Sequence, residues 1–114
     1  MIIEIIEKTL LSKGTIYKLK IDNKIIEIFF LSHAIERIKK WQLSEKMVIE
    51  TLLFPEEVLI GHRGRYIAHK RFGSHIVRAI YEYDEKLPVL ITVYFPYIDR
   101  YFKGGDIYED KILK

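Results

Sequence analysis

Apolar and polar side chains alternate through Thr15-Ile16-Tyr17-Lys18-Leu19-Lys20-Ile21, the period of two that marks a half-buried strand. Asp22-Asn23 follows as a turn, and Ile25-Ile26-Glu27-Ile28-Phe29-Phe30 can return as a hairpin partner. Gly14 is placed to turn the chain out of an earlier β segment that begins near Ile2. The period then changes. Over residues 33–42 the apolar side chains of Ala34, Ile38 and Trp41 fall on one helical face, and His33, Arg37 and Lys40 share an adjoining polar one. Ser32 is positioned to cap this helix, and Ser44 to cap a second over residues 45–53. Pro55 ends the second helix, because the residue before a proline is pushed out of the α region.

Four strands are predicted downstream, over 57–62, 66–71, 75–83 and 89–95. Turns at Gly61 and Gly64, at Gly73-Ser74 and across 84–88 separate them. The last, Val89-Leu90-Ile91-Thr92-Val93-Tyr94-Phe95, is nearly all apolar and is expected at the centre of its sheet, covered on both faces. Beyond Pro96 the chain is aromatic and charged with a Gly104-Gly105 break.

Size and composition narrow the class. The 114 residues match one ordinary domain, and 49% hydrophobic with 31% charged residues excludes a mostly disordered chain. No apolar run approaches the roughly 20 residues of a membrane span. The opening Met1-Ile2-Ile3-Glu4-Ile5-Ile6-Glu7-Lys8 meets charge too early for a secretory signal. Without cysteine there is no disulfide framework and no thiolate cluster, which fits a reducing, cytoplasmic setting. Abundant Ile, Lys and Glu also suit a thermophile.

Charge distribution says more than the net charge of +3. From residue 63 to 78 the chain carries Arg63, Arg65, Lys70, Arg71 and Arg78 with His69 and His75, preceded by His62, and no acid. A solvated basic face would account for this; so would a patch for phosphate backbone. There is no P-loop and no dinucleotide fingerprint, and neither a thiol nor a serine nucleophile is in place. His62, His69 and His75 fall on or beside successive strands rather than at metal-ligand spacing on one helix, so no metal or cofactor is expected. What remains is a cationic, imidazole-bearing, tyrosine-rich surface. His33 and Arg37 share a helix, while His69, Lys70 and Arg78 come from neighbouring strands, with Thr92 and Tyr94 on the next.

Such residues suit RNA cleavage by the ribose 2′-OH. That reaction needs an acid and a base near neutrality and fixed cations for the phosphorane. Tyrosines can stack unpaired bases. Plainer roles exist for the same residues: His33 as a helix-start residue, Arg37 as a partner of Glu36, and Tyr81, Tyr83 and Tyr94 as packing. Alternation also sets His69 and Lys70 on opposite faces of their strand.

Between Leu31 and Phe95 the chain resembles the RelE-like domain-of-unknown-function family 4258. The resemblance runs through Ser32-His33-Ala34 with Arg37, Leu43-Ser44 with Val48, and Phe54-Pro55-Glu56-Glu57-Val58. It continues at Ala68-His69-Lys70 and closes on Val89-Leu90-Ile91-Thr92-Val93-Tyr94. It implies an α+β fold of the barnase–colicin–RelE kind: two helices on a curved antiparallel sheet, preceded here by a short β-hairpin. The core would be residues 31–96, with an N-terminal β extension (1–30) and a C-terminal arm (97–114). The implied activity is that of a toxin-type, metal-independent endoribonuclease, acting on free or ribosome-associated RNA and paired with an antitoxin protein. By position the resemblance implies His33, Arg37, Lys70 and Thr92 as catalytic residues, and the residue-level reading adds Arg78. Lys40, Arg63, Arg65, His69, Arg71 and Tyr94 are the expected nucleic-acid contacts. The rival expectations are a non-catalytic module for nucleic acid or protein, and a structural protein that oligomerises through its arm.

Overall fold

A computed structural model describes residues 2–114. Three strands open the chain, β1 (Ile3–Leu11), β2 (Gly14–Ile21) and β3 (Lys24–Leu31), followed by helices α1 (Ser32–Lys40) and α2 (Glu45–Leu53). Strands β4 (Glu57–Ile60), β5 (Tyr66–Phe72), β6 (His75–Asp84) and β7 (Leu87–Tyr94) complete one seven-stranded sheet, and a single-turn helix α3 (Ile98–Tyr101) follows. The spatial order is β1-β2-β3-β7-β6-β5-β4. Neighbours are antiparallel except β3 and β7, which run parallel and pair Phe29 with Val89 and Phe30 with Leu90.

The expected architecture of two helices on a curved antiparallel sheet, with a hairpin as an extension, is corrected by this topology. Residues 3–31 supply three of the seven strands, and the sheet is mixed. The physical reason lies in burial. Tyr17, Leu19, Ile21, Ile28 and Phe30 enter the same apolar core as Val77, Ala79, Leu90 and Val93, so the hairpin cannot leave the sheet without opening that core.

Both longer helices cover one face. Ala34 and Ile38 of α1, with Val48, Ile49 and Leu52 of α2, close the core from that side. Ser44 caps α2 by accepting a hydrogen bond from the Met47 N–H at 3.1 Å. Ser32 does not cap α1: the capping position is Leu31, with no side-chain bond, and Gln42 ends the turn in the left-handed region at φ 54°. The 97–114 segment does not reach outward. It crosses the opposite face through α3, runs beside β4 with the Val58 N–H donating to the Ile107 carbonyl at 2.7 Å, and wraps round that edge to Asp110, which accepts from Tyr81 and Tyr83 on the helix side. It is a strap on its own sheet.

Candidate nucleic-acid interface

Two hairpins set the centre of the site. The β4–β5 register places Glu57 opposite His69, and the β5–β6 register places His69 opposite Arg78. Three polar side chains therefore line up across three strands, on the face away from α1 and α2. Glu57 and His69 are both 0% exposed. His69 Nδ1 lies 2.7 Å from Glu57 Oε2, and Arg78 Nη1 lies 2.9 Å from His69 Nε2. A carboxylate only accepts and a guanidinium only donates, so His69 donates from Nδ1 and accepts at Nε2, which is the neutral tautomer.

The electrostatics agree. Burial and the neighbouring Arg78 charge outweigh the Glu57 hydrogen bond and hold the His69 imidazole below its ordinary range. Burial works to raise the Glu57 carboxyl. The His69 bond and the backbone N–H groups of Lys103 (2.8 Å) and Gly105 (3.0 Å) overcome it and keep the group ionised. The same carboxylate thus orients His69 and pins the strap.

Arg78 is half-buried. Its guanidinium lies 4.1 Å from the Tyr101 ring centroid, so one edge is held by His69 and one face by an aromatic from the strap. Its remaining N–H donors border a groove of about 750 Å³ that also takes in Trp41, His75, Tyr94, Tyr97 and Arg100. Trp41 donates its indole N–H to the Val93 carbonyl at 3.2 Å, which fixes the ring at the end of β7. His75 is stacked between Phe95 and Tyr97, with centroids 4.7 and 4.3 Å away. A second recess, bounded by His62, Arg63 and Arg65, meets the groove at Arg78 and Ile80. Among the described residues, Arg65 is the one arginine of these recesses with a carboxylate partner, Glu82 at 3.2 Å. Neither recess is lined by an acidic side chain among the described residues.

The residues expected to act together are divided. His33 and Arg37 meet each other at 3.5 Å on the exposed side of α1 and border neither recess. Lys70 faces the helices, where its ammonium donates to the Phe54 carbonyl at the end of α2. Arg78 is in the groove. Thr92 is buried beside Ile80, and its hydroxyl has no hydrogen-bond partner among the described residues. Such a hydroxyl contributes little, so Thr92→Val is expected to leave urea stability unchanged or raise it by up to about 1 kcal/mol. A loss above that would show that the hydroxyl is bonded.

Of the expected contacts, Arg63, Arg65 and Tyr94 border the paired recesses. Lys40 is stacked against Trp41 at 5.1 Å. Arg71 is tied to Glu56 at 2.6 Å and stacked on Phe102. His69 has no exposed surface with which to touch a ligand. Sequence reasoning missed Glu57, Trp41, Tyr97, Arg100 and Tyr101, and set His75 in the basic stretch without naming it as a contact. No three His, Cys, Asp or Glu side chains among the described residues gather closely enough to hold a metal ion.

A family model described as a domain of unknown function (DUF4258) matches residues 30–95. No curated protein and no solved structure matches. The matched span holds Glu57, His69, His75, Arg78 and Tyr94, whereas Tyr97, Arg100 and Tyr101 come from the strap beyond it.

Proposed function

The chain belongs to the DUF4258 family, and on that footing we propose that the groove at Arg78, where β6, the end of β7 and the strap meet Trp41 at the end of α1, binds single-stranded RNA. The observation that carries this reading is the groove itself: Arg78 and Arg100 among Trp41, His75, Tyr94 and Tyr97, with no acidic lining among the described residues. Single-strand binders combine cations that follow the backbone with aromatic faces on which unpaired bases stack. The recess at Arg63 and Arg65 extends the cationic track past one phosphate.

One observation favours chemistry as a second reading. His75 borders the same groove as the two arginines. An imidazole beside fixed cations is what 2′-OH attack on the adjacent phosphodiester requires. In that reading His75 takes the 2′-OH proton as the 2′-oxygen–phosphorus bond forms and returns it to the departing 5′-oxygen as the phosphorus–5′-oxygen bond breaks, while Arg78 and Arg100 hold the phosphoryl oxygens.

Fluorescence titration of a labelled single-stranded RNA in EDTA, beside the matching duplex and the DNA of the same sequence, tests both readings. Binding of the single strand at least tenfold tighter than the duplex is expected, with log affinity falling linearly with log salt. Equal affinity for duplex and single strand would sink the groove reading. Products ending in 2′,3′-cyclic phosphate that vanish in His75→Ala would establish the second reading, and intact RNA leaves binding alone.

A further inference from the structure

The two edges of the sheet are finished differently. Outside β4 the strap supplies hydrogen bonds, with the Val58 N–H donating to Ile107 and the Glu109 N–H donating to the Val58 carbonyl. Outside β1 the described residues supply no further strand. An unpaired edge of nine residues is a template for another strand, and folded proteins usually shorten, charge or cover one.

This edge also exposes apolar side chains on both faces. Ile5 pairs with Leu19 and Leu10 with Thr15, on the helix face; Leu11 pairs with Gly14, on the other. Exposure is 38% at Ile5, 47% at Ile6, 81% at Leu10, 49% at Leu11 and 76% at Ile2. A helix or a flat surface would cover one side only. A strand added in register covers both and also satisfies the outward backbone groups.

We propose that β1 is a homodimer interface, with the β1 of a second copy as the added strand. The aromatic strap, expected to dock on a neighbouring subunit, lies along its own sheet, and β1 is the sheet edge that no strand of the described residues covers. Two features favour an identical partner. A two-fold antiparallel pairing centred on Lys8 sets Glu7 against Thr9 and Ile6 against Leu10, so apolar meets apolar beside Lys8 and no two carboxylates face each other. Each Lys8 keeps its own counter-charge, Glu45 at 2.8 Å. The apolar surface exposed on β1 is on the order of 500 Å² per copy, so a symmetric pair buries at most roughly 1,000 Å², the lower bound of a specific interface.

Sedimentation velocity on the 114-residue chain, from micromolar to millimolar concentration, tests this. The expected mass is twice 13.6 kDa, with Ile6→Lys/Leu10→Lys returning it to 13.6 kDa and weakening association at least tenfold. Both positions are exposed, so an unchanged circular dichroism spectrum confirms that the variant folds. Amide exchange along β1 should slow with concentration in the parent and not in the variant. A mass of 13.6 kDa at millimolar concentration overturns the proposal. So does a dimer that survives the double variant, because it would use another surface.

Discussion

Arg78→Ala is expected to weaken single-stranded RNA binding by about 10- to 100-fold, the worth of one charge-assisted hydrogen bond of about 1.5–3 kcal/mol. The slope of log affinity against log salt should become shallower by about 0.7, the value for neutralising one phosphate fewer on a single strand. The size of the effect follows from preorganisation. His69 holds one guanidinium nitrogen at 2.9 Å and Tyr101 holds its face, so the remaining donors are aimed before any ligand arrives. Arg78→Lys separates charge from shape. An ammonium keeps the positive charge but cannot lie flat on Tyr101 while meeting His69 and phosphate, and should recover less than half of the binding energy that Arg78→Ala removes. The control is His33→Ala/Arg37→Ala, on α1 and outside the groove lining, which should leave affinity within about twofold and make the salt slope shallower by no more than about 0.7. If the control variant weakens binding more than Arg78→Ala does, the interface is on α1 and the groove is not the site.

How much of this was legible depends on whether the signal is local. The period of two at residues 15–21 and the Ser44 cap are local, and both describe the structure. β1 was harder. A bulge between Ile5 and Glu7 breaks its alternation, and adjacent isoleucines hide which side is which. The parallel pairing of β3 with β7 joins residues 60 apart in sequence, and no local pattern encodes it. That one pairing turns a supposed extension into three of the seven strands of one sheet.

Glu57 is the instructive omission. Beside Glu56 it reads as one of two solvated acids. Counting back from the turn at Gly61 and Gly64 sets Glu57 opposite His69, and counting back from Gly73-Ser74 sets His69 opposite Arg78. Hairpin arithmetic alone would have brought the three together. Their burial could not be read that way, because it depends on the strap crossing the outer face.

Stability should report the buried pair most strongly. Glu57→Ala leaves the His69 Nδ1–H and the Lys103 and Gly105 N–H groups without their acceptor, and the expected cost is about 3–5 kcal/mol in urea unfolding. A domain of this size has about 5–15 kcal/mol in total, so the midpoint temperature should fall by roughly 15 °C. The pH dependence has a definite sign. His69 is held below its ordinary value of 6.5 in the folded chain, so as pH falls through that value the unfolded chain takes up a proton that the folded one refuses. Stability is therefore complete above about pH 6.5 and declines below it. A second decline begins below 4.5, where unfolded Glu57 protonates before folded Glu57 does. His69→Gln can donate to Glu57 and accept from Arg78 without titrating, so it should remove the upper decline and keep the lower one. A loss under about 1 kcal/mol in Glu57→Ala, or a parent stability flat between about pH 7 and 5, would show that the pair is not coupled to folding. The same carboxylate reaches the ligand indirectly. Releasing Lys103 and Gly105 frees the strap, and with it the Tyr101 ring that braces Arg78. Folded Glu57→Ala at low temperature should therefore also bind RNA more weakly, although Glu57 touches no ligand.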